Sequence, residues 1–115
     1  MGKGLSELQM KVLILAYRKG GTTYKHGSKK VYTSEIDIST EDILREVFKV
    51  KTASARASVS RVFKRLEERG LAERYYAHQV SGYLLFSGIK LTRAGRERAK
   101  ALMVNTVLSE NYVNG

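Results

Sequence analysis

Ser54, Arg56, Ala57, Ser58, Ser60, Arg61, Lys64 and Arg65 fall in one short run, 54–65. With residues placed at 100° intervals, Ser54, Ala57, Ser58, Arg61, Lys64 and Arg65 share one side of a helix. Ala55, Val59, Val62, Phe63 and Leu66 form a stripe about 100° wide on the other. The outer face opens with small side chains and continues with cations. That order suits a polyanion: small residues allow close approach to base edges in a major groove, and later cations reach phosphates. A merely solvated face more often mixes signs, with Glu ahead of Lys. Here Glu67 and Glu68 come only at the end, before a stop at Gly70.

Other chemistries are poorly supplied. His26 and His78 are the only histidines, and there is no cysteine. Neither histidine has partners at ligand spacing, so no metal site is expected. Ser54, Ser58 and Ser60 lack a recognisable base or elbow motif, and capping or groove contacts explain them better than nucleophilic catalysis. Gly20, Gly21 and Gly27 are not followed by the Gly-Lys-Ser/Thr of a phosphate-binding loop. The reading is therefore a non-enzyme without cofactors. The seven tyrosines could stack on single-stranded bases, but most lie in strand regions, where core packing is expected.

Charge points the same way. The chain has 115 residues, one domain's worth, and a formal net charge of +10. Residues 49–100 hold 13 basic and 4 acidic side chains, while 1–48 hold 8 and 6. The excess thus surrounds the proposed reading helix, the footprint of a polyanionic partner. A membrane surface would favour an amphipathic helix with aromatic anchors, and no apolar run reaches the roughly 20 residues of a membrane span. The start, Met1 to Leu5, has no apolar signal region. A cytoplasmic, nucleoid-associated location is expected. The scarcity of Asn, Gln and Cys is compatible with a thermophilic source.

Six elements must position these residues. Ser6-Glu-Leu-Gln9 reads as a capping box for a helix over 5–19, ended by Gly20-Gly21. This helix carries two apolar stripes, Leu5, Leu8, Val12 and Leu15 on one side and Met10, Leu13, Ile14 and Tyr17 on the other. Residues 20–30 read as a Gly-rich basic loop, and 31–38 as a strand. Ser39 and Thr40 cap a helix over 40–48. Thr52 or Ser54 caps the reading helix, 54–69. A hairpin over 71–91 follows, with a bulge or bend at Gly88. Thr92 opens a last helix to 109, with Ala101, Val104 and Leu108 on a second apolar face. The fold class is mainly α with a small antiparallel hairpin, α+β.

Helix, strand, helix, helix, hairpin, helix is the order of a winged helix-turn-helix. Residues 58–74, Ser-Val-Ser-Arg-Val-Phe-Lys-Arg-Leu-Glu-Glu-Arg-Gly-Leu-Ala-Glu-Arg, resemble the recognition helix and first wing strand of that superfamily. Leu91-Thr-Arg-Ala-Gly-Arg-Glu-Arg-Ala99 resembles the strand-to-helix junction after the wing in multiple-antibiotic-resistance-type and phenolic-acid-type transcriptional regulators. The resemblance implies a homodimeric regulator that binds double-stranded DNA. Its reader would be Ser54, Arg56, Ala57, Ser58, Ser60, Arg61, Lys64 and Arg65. The wing tip would be Ala77 to Tyr83, with His78 and Gln79, and Arg74 and Lys90 would flank it as phosphate contacts. The tip itself has no Arg or Lys, and the segment 20–30 is longer and more basic than usual for the family.

The paired stripes extend the expectation. One small core can bury only one stripe of each terminal helix, which leaves Met10, Leu13, Ile14, Tyr17, Ala101, Val104 and Leu108 for a two-fold partner, or else for the basic loop 20–30 or the tail to fold over. Two alternatives stand beside the regulator: an architectural chromatin protein of low sequence specificity, as some small basic archaeal winged-helix dimers are, and a winged-helix protein-interaction module. The target sequence and any small-molecule effector are not legible.

Overall fold

The structure is a computed structural model that describes residues 4–114, with side chains described through Val104. Ser6 and Gln9 form a reciprocal capping box ahead of α1 (Glu7–Lys19), and Gly20 closes the helix at φ 60°. The basic segment that follows is not a loop. Residues Thr22–His26 form β1 and Lys29–Thr33 form β2, paired antiparallel around a turn where Gly27 has φ 69°. The strand expected over 31–38 is correspondingly broken. Residues 31–33 complete β2, the chain bends through 34–37, and β3 is only Ile38–Ser39. What reads as one alternating segment serves two separate sheets, with Ile36 and Asp37 buried at the bend between them.

Ser39 caps α2 (Thr40–Ile43), which continues as a π-helical turn, Leu44–Phe48. Lys49, at φ 62°, ends it, and its N–H donates to the Leu44 carbonyl at 2.6 Å. Thr52, rather than Ser54, caps α3 (Ala53–Glu68) by accepting the Ala55 N–H at 3.1 Å. The strands β4 (Ala72–His78) and β5 (Leu84–Leu91) pair antiparallel. Their irregularity lies at Ala77/His78, not at Gly88. Gly88 instead lets β3 come close: a Cβ there would lie 2.2 Å from the Ile38 carbonyl oxygen. At the start of α4 (Arg93–Asn114), the Thr92 hydroxyl accepts the Gly95 N–H at 3.1 Å.

Among the described residues the result is an α+β fold with four helices, a two-stranded sheet and a three-stranded sheet of order β3-β5-β4. Ala55, Val59, Val62, Phe63 and Leu66 of α3 are its buried residues, the stripe read from periodicity. They meet Val12, Leu13 and Ala16 of α1, Ile43 and Leu44, Ile89 and Leu91, and Ala99 of α4. No helix among the described residues is long and apolar enough to cross a membrane.

Helix α1 corrects the two-stripe argument. Leu13, assigned to an outer stripe, is 0% exposed inside the single chain. Met10 and Tyr17 are partly buried against the same core, and Ile14 is half-buried. The reason is geometric: α1 packs against α4 as well as α3, β3 and β5, so one subunit buries more than one of its sides. Ala101 and Val104 do lie exposed on α4. The Leu108 side chain lies outside the described residues.

The bases of β1, β3 and α2 meet at Asp42, which is only 3% exposed. Its carboxylate accepts hydrogen bonds from the Thr22 hydroxyl at 2.5 Å, the Ser39 N–H at 3.0 Å and Arg45 Nη2 at 2.7 Å. Lys19 Nζ stands 3.8 Å away. Burial pushes this carboxyl up, but the hydrogen bonds from Thr22, Ser39 and Arg45 outweigh burial and hold it below the ordinary 3.8. A depressed carboxylate contributes stability that is present above the ordinary value and lost as pH falls through the folded value. Denaturant melts at a series of pH values should show Asp42→Asn costing about 1–3 kcal/mol at neutral pH. That difference should shrink below about pH 4. A pH-independent difference would show that the charge contributes nothing.

Candidate functional site

Burial of one side of α3 determines what the other presents. Ser54, Arg56, Ala57, Ser60, Arg61, Lys64 and Arg65 are exposed, and Ser58 is half-buried. Arg61 Nη2 donates to the Ser58 hydroxyl at 3.1 Å, which holds the guanidinium along the helix one turn from the small residues. Among the described residues Arg61, Lys64 and Arg65 make no ion pair. Arg56 differs from them: its Nη1 lies 2.9 Å from Glu41 Oε2, and Lys51 Nζ lies 3.2 Å from Glu41 Oε1. One carboxylate of α2 thus clamps two cations at the start of α3. Burial pushes the Glu41 carboxyl up, yet the bonds and charges of Arg56 and Lys51 prevail and hold it below its ordinary value.

The strand beside α3 extends this surface. Side chains alternate along β4, so Arg74, Tyr76 and His78 share a face. Arg74 lies over the Phe63 ring of α3, 5.8 Å from its centroid, and over Tyr76 at 5.3 Å. Its Nη2 also reaches Ser60 Oγ at 3.5 Å. Arg74 is therefore a bridge between α3 and β4. Tyr76 is 55% exposed beside it, outside the core expected for most strand tyrosines. The period-two spacing from Arg74 to His78 was the signal that could have placed it here.

Lys90 does not join this group. It pairs in register with Glu73, while Arg74 pairs with Ile89, so Lys90 and Arg74 leave the sheet on opposite faces. Lys90 Nζ donates to the Ser34 carbonyl at 3.0 Å and stands 3.8 Å from Asp37. It is a clamp on the 34–37 bend, not a flank of the hairpin tip.

The tip itself is neutral and partly apolar. The Gln79 N–H donates to the Tyr83 carbonyl, and Ser81 donates to Gln79 Oε1, closing the turn. His78 is exposed and Gln79 half-buried. Val80 at 109%, Tyr83 at 71% and Leu84 at 45% exposure stand out in water. Neither this apolar tip nor its neighbour, the β1–β2 hairpin, is signalled by the local sequence pattern. Tyr24 of β1 packs on Phe86 of β5 with ring centroids 4.8 Å apart. Between them and the starts of α2 and α3 lies a cleft of about 530 Å³ whose lining includes Lys25, Lys30, Arg45 and Arg56. Tyr32, Tyr75, Tyr76 and Tyr83 are all exposed, contrary to the expectation that strand tyrosines pack in the core.

Among the described residues no three His, Asp or Glu side chains come together as a metal site. No protein-family model, curated protein or solved structure matches this chain.

The arrangement can hold an extended anion along α3 and β4, with Glu41 competing for Arg56 and Lys51 at the start of α3. Glu41→Gln frees Arg56 and Lys51 and adds one positive charge. Elution from a phosphocellulose column should then require more salt than the wild type, with the thermal midpoint little changed because the pair is half in water. Unchanged elution would show that the two cations already face outward in use.

Proposed function

We propose that this chain binds double-stranded DNA, with α3 in the major groove, and regulates transcription as a homodimer. The observation that carries the reading is the outer face of α3: small residues at its start, then Arg61, Lys64 and Arg65 exposed and free of carboxylate partners among the described residues. Base edges are read by the first turns of such a helix, and later cations hold phosphates. Element order and the sheet order β3-β5-β4 support a winged helix-turn-helix, in which β4 and β5 form the wing. Arg74, propped by Phe63 and Tyr76, suits a phosphate contact at the base of that wing.

The exposed Val80, Tyr83 and Leu84 favour a second reading, an architectural protein. Apolar wedges at a hairpin tip are a means of unstacking base steps from the minor groove. The two readings part on specificity. A regulator should prefer its best site by ~10³ or more over random duplex, and an architectural protein should not. Selection of bound fragments from random duplexes supplies the site. On it, Arg61→Ala should cost about 1–3 kcal/mol and relax preference at one base pair. Equal loss on random DNA would show that Arg61 only grips phosphate, and no binding to any duplex would end the nucleic-acid reading.

For the homodimer, the exposed turn of α4 with Ala101 and Val104 is the remaining support. Two copies would set their α3 helices roughly 34 Å apart on an inverted repeat. Light scattering at micromolar concentration should give twice the 12.9 kDa chain mass, and Val104→Asp should return folded monomers. A monomeric wild type would overturn the dimer.

A further inference from the structure

The β1–β2 hairpin carries charge that its own folding does not favour. Its register sets Lys25 directly opposite Lys30. Like charges facing each other across an antiparallel pair destabilise it, and an isolated two-stranded hairpin is marginal to begin with. Lys25, Lys29 and Lys30 are exposed, and none makes an ion pair among the described residues. The hairpin is instead held from its base, by Thr22 on Asp42 and by Tyr24 on Phe86. A base tied to the body thus supports a cationic end whose facing lysines do not stabilise its own fold.

Position gives that end a use. His26 and residues His78, Gln79, Val80 and Ser81 border one shallow depression, so the two hairpin tips stand side by side. Lys25 and Lys30 face the same cleft as Arg56 of α3. The outer part of the β4–β5 hairpin lacks what its neighbour supplies, since no Arg or Lys occurs from Tyr75 to Ile89.

We propose that the β1–β2 hairpin is a second arm that grips the phosphate backbone of duplex DNA beside the neutral β4–β5 tip, through Lys25, Lys29 and Lys30. This rests on the reading of α3 as the DNA-binding helix. The division of labour is physical: the wing tip contributes shape and apolar contact, and the added hairpin contributes charge. Contacts to phosphate carry no sequence information, so the arm raises affinity without changing the preferred site.

The test is the salt dependence of binding by the full chain to a selected duplex and to a random duplex of equal length, read by fluorescence anisotropy. Each neutralised phosphate contributes about 0.9 to the slope of log K against log salt. The triple variant Lys25→Gln, Lys29→Gln, Lys30→Gln should therefore have a slope about 2–3 smaller in magnitude than the wild type. Its ratio of selected to random affinity should be unchanged. The matching triple Arg variant, which keeps the charge, should restore the slope. The substituted positions are exposed, and near-wild-type thermal midpoints would show that the fold is kept. A slope equal to the wild type overturns the arm. If Arg61→Ala still weakens binding in that case, the reading of α3 stands without it. A loss confined to the selected duplex also overturns the proposal, because it would mean base contact. Absence of salt-dependent duplex binding by the wild type overturns both.

Discussion

The Asp42 carboxylate is almost entirely out of water and is shared among elements that do not adjoin in sequence. Thr22 begins β1, Ser39 ends β3 and caps α2, Arg45 lies in the π-helical turn, and Lys19 ends α1. A buried charge is tolerated only when its lone pairs are filled, and here hydrogen bonds from Thr22, Ser39 and Arg45 fill them. The geometry that satisfies the carboxylate therefore also sets where the β1–β2 hairpin leaves the body. It sets the start of α2, and through the turn at Lys49 it sets the approach to α3. The cationic surface is downstream of this one group.

Packing of α3 then converts a sequence period into a surface. Phe63, Val62 and Leu66 hold the helix against α1 and the sheet, which obliges Arg61, Lys64 and Arg65 to face outward. Phe63 has a second role, because its ring also supports the Arg74 guanidinium. The hydrophobic core and the charged face meet at that residue. Cation–π contact of this kind steers a guanidinium without neutralising it, so Arg74 keeps its charge.

The distribution of acids around this surface is as informative as that of bases. Lys19, Arg45, Lys51, Arg56 and Lys90 all face carboxylates. These pairs lie at element junctions, where they fix orientation. Lys25, Lys29, Lys30, Arg61, Lys64 and Arg65 lie away from junctions and face none among the described residues. These two groups of cations thus occupy different places, one joining elements and one exposed to solvent.

The amino-acid sequence by itself determined α3 and its two faces. Helical amphipathicity is local: Ala55, Val59, Val62, Phe63 and Leu66 need only 3.6-residue geometry to line up. The capping box at Ser6 and the stop at Gly20 were legible for the same reason. The β1–β2 hairpin was not. Thr22–His26 and Lys29–Thr33 show little apolar alternation, and their pairing depends on Asp42 and Phe86, both remote in sequence. Nor could the sequence say that α1 buries Leu13 within one subunit, since that required α4 to pack against its other side. Tertiary structure likewise separated Lys90 from Arg74. Strand parity places adjacent register positions on opposite faces, and only the pairing of β4 with β5 revealed which face met α3. Where the deciding contact lay within a turn or two of helix, the sequence sufficed; where it crossed between elements, only the assembled fold decided.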